Sequence, residues 1–212
     1  MKQKIKGYYF ITDSALSRNG IVEDVLCALD AGVRIIQYRE KNLSTRKMYD
    51  EALKLKKCIK KSLFIINDRI DIAIAVCADG VHIGQEDLPV SITRRIMGKH
   101  KIIGVTVHNL NEAVKAESHG ADYVAVAPIF YTRTKVDAQL PVGLNVLDKI
   151  KKAVSIPVVG IGGITIKNAP DVIKAGADAI CSISDVLNAT DVFFRIKQFQ
   201  NLFKKNSNNN LR

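Results

Sequence analysis

The feature that most restricts the fold is an alternation: short β-branched, apolar runs recur along the chain, separated by longer segments of helical period. The runs are YYFITD (Tyr8 to Asp13), VRIIQYRE (Val33 to Glu40), SLFIIND (Ser62 to Asp68) and GVHIGQ (Gly80 to Gln85), then KIIGVTV (Lys101 to Val107), YVAVAPIF (Tyr123 to Phe130), IPVVGIGG (Ile156 to Gly163) and AICSIS (Ala179 to Ser184), eight in all. Between them, VEDVLCALDAG, STRKMYDEALKLKKCIKK, LNEAVKAESHGAD and IKNAPDVIKAGAD read as helices, several closing on Ala-Gly or His-Gly as helix C-termini do. Nearly continuous apolar strands joined by crossover helices require a parallel sheet covered on both faces. Eight such units in 212 residues fit a closed (β/α)8 TIM barrel, with a doubly wound open sheet as the alternative.

Composition narrows the class. With 47% hydrophobic and 25% charged residues, the chain can fill one core, so residues 1–204 read as a single domain. The polar, low-complexity stretch 205–212 reads as a disordered tail. No apolar stretch approaches the roughly 20 residues of a membrane span, and MKQKIKGYYFITD lacks the pattern of a signal peptide, so a cytoplasmic location is expected. Cys27, Cys58, Cys77 and Cys181 have no metal-type spacing and read as buried free thiols. The net charge of +11 comes from Lys and Arg spread over helical faces, without the interleaved aromatics that stack bases; small anions are therefore favoured over nucleic acid.

In a barrel of this kind chemistry gathers where strand C-termini meet the following loops. Those positions hold Gln37, Arg39 and Lys41; Asn67 and Asp68; Gln85 and Asp87; Thr106 and His108; Thr132, Thr134 and Lys135; Gly160 to Gly163; and Ser182 and Ser184. Alternation in QYREK sends Gln37, Arg39 and Lys41 to one side, and Arg in particular matches phosphate oxygens through its fork. Asp68 and Asp87 end neighbouring strands, where they can share a Mg²⁺ ion, or Asp87 can cap the helix that begins near LPVSI. GIGGI, Gly160 to Ile164, leaves backbone N–H groups open to an anion, aided by a helix expected to start near Ile166; a tight turn is the plainer reason for its glycines. His82, inside VHIGQ, is expected to pack rather than react.

Taken together, QYREK, INDRIDIA, ADGVHIGQEDLP, IIGVTVHN, APIFYTRTK, PVGL and VVGIGGI resemble the thiamine phosphate synthase family in order and spacing, from Tyr8 to about Leu187. The resemblance implies a transferase that joins an aminopyrimidine methyl diphosphate to a thiazole phosphate, or its carboxylated form, through a dissociative step that releases pyrophosphate. Carried over by motif, Gln37, Arg39, Lys41 and Asn67 look like diphosphate and pyrimidine contacts, with Thr106 near the pyrimidine. Asp68 and Asp87 look like the ligands of one Mg²⁺ ion, and Lys135 like the lysine that meets the leaving pyrophosphate. Thr132, Thr134, Gly162, Gly163, Ile183 and Ser184 resemble the thiazole phosphate site, and Arg39, Lys41 and Lys135 are the implied catalytic residues. The expected partners are small phosphorylated molecules, with neither nucleic acid nor membrane, and a homo-oligomer is compatible with the sequence.

Two positions depart from the pattern. Ala127 stands where the family usually has Gly, and Asp185 follows Ser184 where a small apolar residue is usual; Asp185 is expected to turn away and cap the last helix. The nearest rival, the related thiazole tautomerase, replaces the Pro of PIF and degrades the TxTK segment, whereas Pro128, Thr132, Thr134 and Lys135 are intact here. A catalytically silent phosphate-binding barrel is the other alternative, and it should have lost Asp68, Asp87 or Lys135.

Overall fold

The computed structural model describes residues 5–132, 134 and 139–209, the last five by backbone alone. Eight strands pair in parallel: β1 (Gly7–Ile11), β2 (Ile35–Tyr38), β3 (Leu63–Asn67), β4 (Gly80–Ile83), β5 (Ile102–Val107), β6 (Tyr123–Val126), β7 (Val158–Ile161) and β8 (Ala179–Cys181). Each strand pairs with its neighbours in sequence, and β8 returns to β1, so the sheet closes and the open-sheet alternative falls. The connecting helices are α1 (Ile21–Asp30), α2 (Thr45–Cys58), α3 (Ile70–Ala75), α4 (Val90–Met97), α5 (Leu110–Ser118), α6 (Gly143–Ala153), α7 (Ala169–Lys174) and the single turn α8 (Ser184–Leu187). A last helix, α9 (Val192–Asn209), lies against β1 and α1. No helix among the described residues is long and apolar enough to cross a membrane.

Strand alternation divides the apolar side chains into two cores. Outward-facing residues such as Phe10, Ile36, Phe64, Val81, Ile103, Val124 and Ile180 pack against the helices. Inward-facing Tyr9, Ile35, Ile65, Ile102, Tyr123, Val159 and Ala179 fill the barrel. Both sets are almost wholly buried, which is why the strands read as continuous apolar runs rather than as alternating ones.

The end of the barrel opposite the strand C-termini is fastened by a device used three times. Asp79, Asp122 and Asp178 each directly precede an even-numbered strand. One oxygen of each accepts a hydrogen bond from a backbone N–H on the preceding odd-numbered strand: Phe64 at 2.9 Å, Ile103 at 2.9 Å and Val158 at 2.8 Å. The same oxygens meet a cation from the helix that leads into that odd-numbered strand, Lys56, Arg94 and Lys151 respectively. Charge-assisted bonds of this kind hold neighbouring strands in register.

Several expectations need correction. The sixth strand ends at Val126, not Phe130, because Pro128 has no N–H to continue the ladder. The eighth stops at Cys181, and Ser182 turns its hydroxyl to the Ile164 carbonyl at 2.6 Å. α7 begins at Ala169 rather than near Ile166, since Thr165 to Asn168 form a turn in which Asn168 accepts from the Thr165 N–H at 2.7 Å. Of the four free cysteines only Cys181 is buried; Cys27 and Cys58 are half-buried and Cys77 is exposed. The helical backbone of α9 also runs to Asn209, into the stretch read as a disordered tail, and 210–212 lie outside the described residues.

Candidate active site

A cavity of about 320 Å³ opens at the C-terminal ends of the strands. Gln37, Arg39, Lys41, Asn67, Asp68 and Asp87 line one side of it, in chain order from β2 to the loop after β4. Thr106, Thr132, Thr134, Gly162, Gly163, Ile183 and Ser184 line the rest. Lys135 lies outside the described residues. A shallower depression bordered by Tyr131, Thr132, Gly163, Ile164, Thr165 and Ser184 adjoins the glycine turn.

On the β2–β4 side, cations and carboxylates interlock. Arg39 donates to Asp13 Oδ2 at 3.3 Å, while Asp13 Oδ1 is fixed by the Ala15 and Leu16 N–H groups at 3.1 and 3.2 Å, so the buried carboxylate after β1 aims the guanidinium. Lys41 Nζ lies 2.6 Å from Asp68 Oδ2. Asn67, buried to 9% exposure, ends β3, and Asp68 follows with φ of 59°, a left-handed conformation uncommon outside glycine but tolerated by Asp and Asn. The Asp68 N–H stays tied to the β4 ladder through the His82 carbonyl at 2.8 Å.

Asp87 is not a helix cap. Its Oδ2 accepts from the Gly84 N–H at 2.6 Å, and α4 starts after Pro89 without a side-chain cap. Partial burial pushes the Asp87 carboxyl above its ordinary value, and the neighbouring Asp68 charge and hydrogen bond add to that rise, against the opposing Gly84 N–H and Lys41. Two carboxylates that repel one another in a concave site fit a hard divalent cation only if water and phosphate oxygens complete its shell, since among the described residues no third His, Cys, Asp or Glu joins them.

On the β7–β8 side, both central glycines are dictated by close backbone approach. At Gly162, φ 98°, a Cβ would sit 2.5 Å from Pro128 Cβ; at Gly163, φ 63°, it would sit 2.4 Å from the Tyr131 carbonyl oxygen. The turn therefore lies directly against the loop that follows β6, which leaves no room for a side chain at either position. Asp185 does turn away, but not as a cap of the last helix: its Oδ2 binds Arg195 of α9 at 2.5 Å and the Ile166 N–H at 3.3 Å. The carboxylate is neutralised and ties the turn after β7 to α9.

The cavity floor is a buried polar chain. Gln37 Nε2 donates to the Tyr9 hydroxyl at 2.9 Å, the Tyr9 and Tyr123 hydroxyls lie 2.9 Å apart, and Tyr123 meets His82 Nδ1 at 2.9 Å. His82 Nε2 then meets Thr106 Oγ1 at 2.8 Å. Tyr123 reaches His82 across Gly104, which pairs with both in register and where a Cβ would lie 2.0 Å from the Tyr123 ring. The two rings stack at 5.5 Å. Sequence reasoning passes over Tyr9, Tyr123 and Asp13; the alternation that turns Gln37 inward also turns Tyr9 inward, and that is the available signal. His82 packs as expected, at 8% exposure.

Comparison with known proteins adds the context. The family model of thiamine monophosphate synthase matches residues 8–186. Thiamine-phosphate synthase of Methanosarcina barkeri is 47% identical over 199 residues, covering 93% of this chain and 90% of that protein. The Chloroflexus aurantiacus protein of the same name is 48% identical over 197 residues, with 92% and 91% covered. Among solved structures, thiamine phosphate pyrophosphorylase from Pyrococcus furiosus superposes with a TM-score of 0.88 at 41% identity, covering 96% of this chain and 98% of that one.

Proposed function

The chain belongs to the thiamine monophosphate synthase family, and from that premise we propose that it joins an aminopyrimidine methyl diphosphate to a thiazole phosphate, or its carboxylated form, giving thiamine phosphate and pyrophosphate. The observation that carries this reading is the division of one cavity between a cation and carboxylate side, Arg39, Lys41, Asp68 and Asp87, and a glycine and hydroxyl side, Gly162, Gly163, Thr132 and Ser184. Such a site takes two phosphorylated molecules end to end.

The reaction is dissociative in this reading. The carbon–oxygen bond to the diphosphate breaks, the electron pair leaves with pyrophosphate, and the pyrimidine methyl cation is stabilised by its ring amino group until the thiazole nitrogen attacks. Negative charge grows on the leaving oxygens, so the fixed guanidinium of Arg39 and the ammonium of Lys41, with Lys135, stabilise the transition state more than the ground state. A Mg²⁺ ion held by Asp68 and Asp87 would add positive charge at the same oxygens. Holding the acceptor nitrogen against the cation supplies the positioning term, and closing out water protects the cation. No side-chain nucleophile is required. The intact Pro128, Thr132, Thr134 and Lys135 support the synthase over the tautomerase.

The test is thiamine phosphate formation by purified protein with both substrates and Mg²⁺, beside Asp68→Asn, which keeps a residue tolerant of positive φ. Product that requires Mg²⁺ and falls at least about a hundredfold in the variant is expected, the scale of removing one preorganised electrostatic contact. Well-folded wild type that makes no product would sink the reading.

A further inference from the structure

Within the proposed function, on which this inference rests, we propose that Glu40 is a positioning residue: its buried carboxylate grips the backbone at Lys41 and Asn42 and so fixes where the Lys41 ammonium is delivered to the diphosphate. It acts by reach rather than by charge.

Alternation along QYREK turns Glu40 away from the cavity that Arg39 and Lys41 line, and Glu40 is only 5% exposed. One oxygen, Oε1, accepts from the Lys41 N–H at 2.8 Å and from the Asn42 N–H at 2.6 Å. The Ser14 hydroxyl and the Leu43 N–H also donate to the carboxylate. Burial raises the Glu40 carboxyl, but these hydrogen bonds outweigh it and hold the group below its ordinary value, so it is ionised at neutral pH. Among the described residues no Lys or Arg is paired with it.

A negative charge set between two cations of an anion site works against the ligand, so its presence needs another reason. The backbone that it holds supplies one, because N–H groups bound to a carboxylate make stronger bonds than neutral acceptors give.

Lys41 depends on such an anchor more than Arg39 does. Arg39 is held twice without Glu40: Thr12 Oγ1 accepts from its N–H at 2.9 Å, and Asp13 takes its guanidinium at 3.3 Å. The Lys41 side chain is 49% exposed, and its ammonium meets Asp68 at 2.6 Å. A diphosphate that draws the ammonium away from Asp68 leaves the backbone grip of Glu40 as the tether. A lysine stem is flexible, so holding its root limits the space that the charge can sweep. The loop after β1 completes the arrangement, with Thr12 and Asp13 on Arg39 and Ser14 on Glu40.

The test separates reach from charge, and Lys41 from the rest of the fold. Glu40→Gln keeps an oxygen at the same reach, so its kcat/KM for the aminopyrimidine diphosphate should stay within about threefold of wild type, a neutral carbonyl still accepting both N–H groups. Glu40→Asp keeps the charge and shortens the arm by a methylene, and Glu40→Ala removes both. Each should lower kcat/KM by about tenfold to a hundredfold, the scale of a group misplaced by about an ångström. In a Lys41→Ala background, adding Glu40→Ala should cost less than about twofold more, because a residue that acts through another is not additive with it. Hydrogen–deuterium exchange of the substrate-free protein should show the segment 41–43 exchanging at least about tenfold faster in Glu40→Asp and Glu40→Ala, with the strands unchanged. The proposal is overturned if Glu40→Gln is as impaired as Glu40→Asp, if the loss is undiminished without Lys41, or if exchange at 41–43 does not change. Should Glu40→Ala not fold, Glu40→Asp carries the cycle. Wild type that makes no product refutes the proposed reaction, while the substrate-free exchange still decides whether Glu40 anchors the loop.

Discussion

Asp87→Asn should make the metal-free protein more stable while removing its response to Mg²⁺. Asp87 ionises against its own burial and against Asp68, and both effects raise its carboxyl in the folded state. A raised folded value in an acid means that ionisation weakens the fold: the cost is absent below the unfolded value of about 3.9, grows as pH rises towards the folded value, and is complete above it. Asn keeps a carbonyl oxygen for the Gly84 N–H, so the 2.6 Å bond survives the exchange. Relieving one unfavourable, solvent-screened charge is worth about 1 kcal/mol at most, which in a chain of this size raises Tm by about 2–4 °C. Mg²⁺ at a hundred times its Kd should stabilise the wild type by about 2.7 kcal/mol, or about 5–10 °C on the same scale, and should not move the variant. Thermal unfolding followed by circular dichroism, with EDTA or Mg²⁺ and at pH 3.5 and 7.5, gives every term. Three results would each refute this account: an Asp87→Asn protein that melts no higher than wild type without metal at pH 7.5, an advantage that persists at pH 3.5, or a variant Tm that Mg²⁺ still raises.

Two further substitutions probe the other side of the cavity. Gly163→Ala places a methyl group 2.4 Å from the Tyr131 carbonyl oxygen and so must displace the loop bearing Thr132 and Thr134; steady-state kinetics should show the KM for thiazole phosphate rising about tenfold or more, on the scale of 1–2 kcal/mol for a misplaced contact, with the aminopyrimidine KM within about twofold. Asp185→Ala leaves Arg195 and the Ile166 N–H without their shared acceptor, so urea unfolding should show a loss of about 1–3 kcal/mol, and a thiazole phosphate KM tightened tenfold would mean that the carboxylate repels the ligand instead of bracing the turn.

Much of this molecule is legible in its sequence because a parallel barrel buries both strand faces. Continuous runs such as FII and VAV suit strands covered on both sides, and the helices between them dictate parallel crossovers. Asn67 and Asp68 are conspicuous for the same reason: polar residues ending an apolar strand must face something polar. What the sequence conceals is direction and partnership. Nothing in YYFITD says that Tyr9 aims inward towards Tyr123, more than a hundred residues away, because that contact exists only once the barrel closes. Asp185 reads as a helix cap because Asp at a helix start commonly is one; its partner, Arg195, comes from a helix packed later in the chain. The end of the sixth strand is obscured because apolar residues continue past Val126, and only the missing N–H of Pro128 marks the stop.

The aspartates at the far end of the barrel carry a different message. Asp79, Asp122 and Asp178 repeat one arrangement on the fourth, sixth and eighth strands, while the position before the second holds Arg34. Three of the four strand pairs, β3 with β4, β5 with β6 and β7 with β8, are thus clasped at the base by a carboxylate and a helix cation, and the clasps stand at the opposite end of the strands from the cavity. None of the clasp residues lines the cavity, so loosening a clasp should lower the stability of the barrel without removing any side chain that faces a ligand.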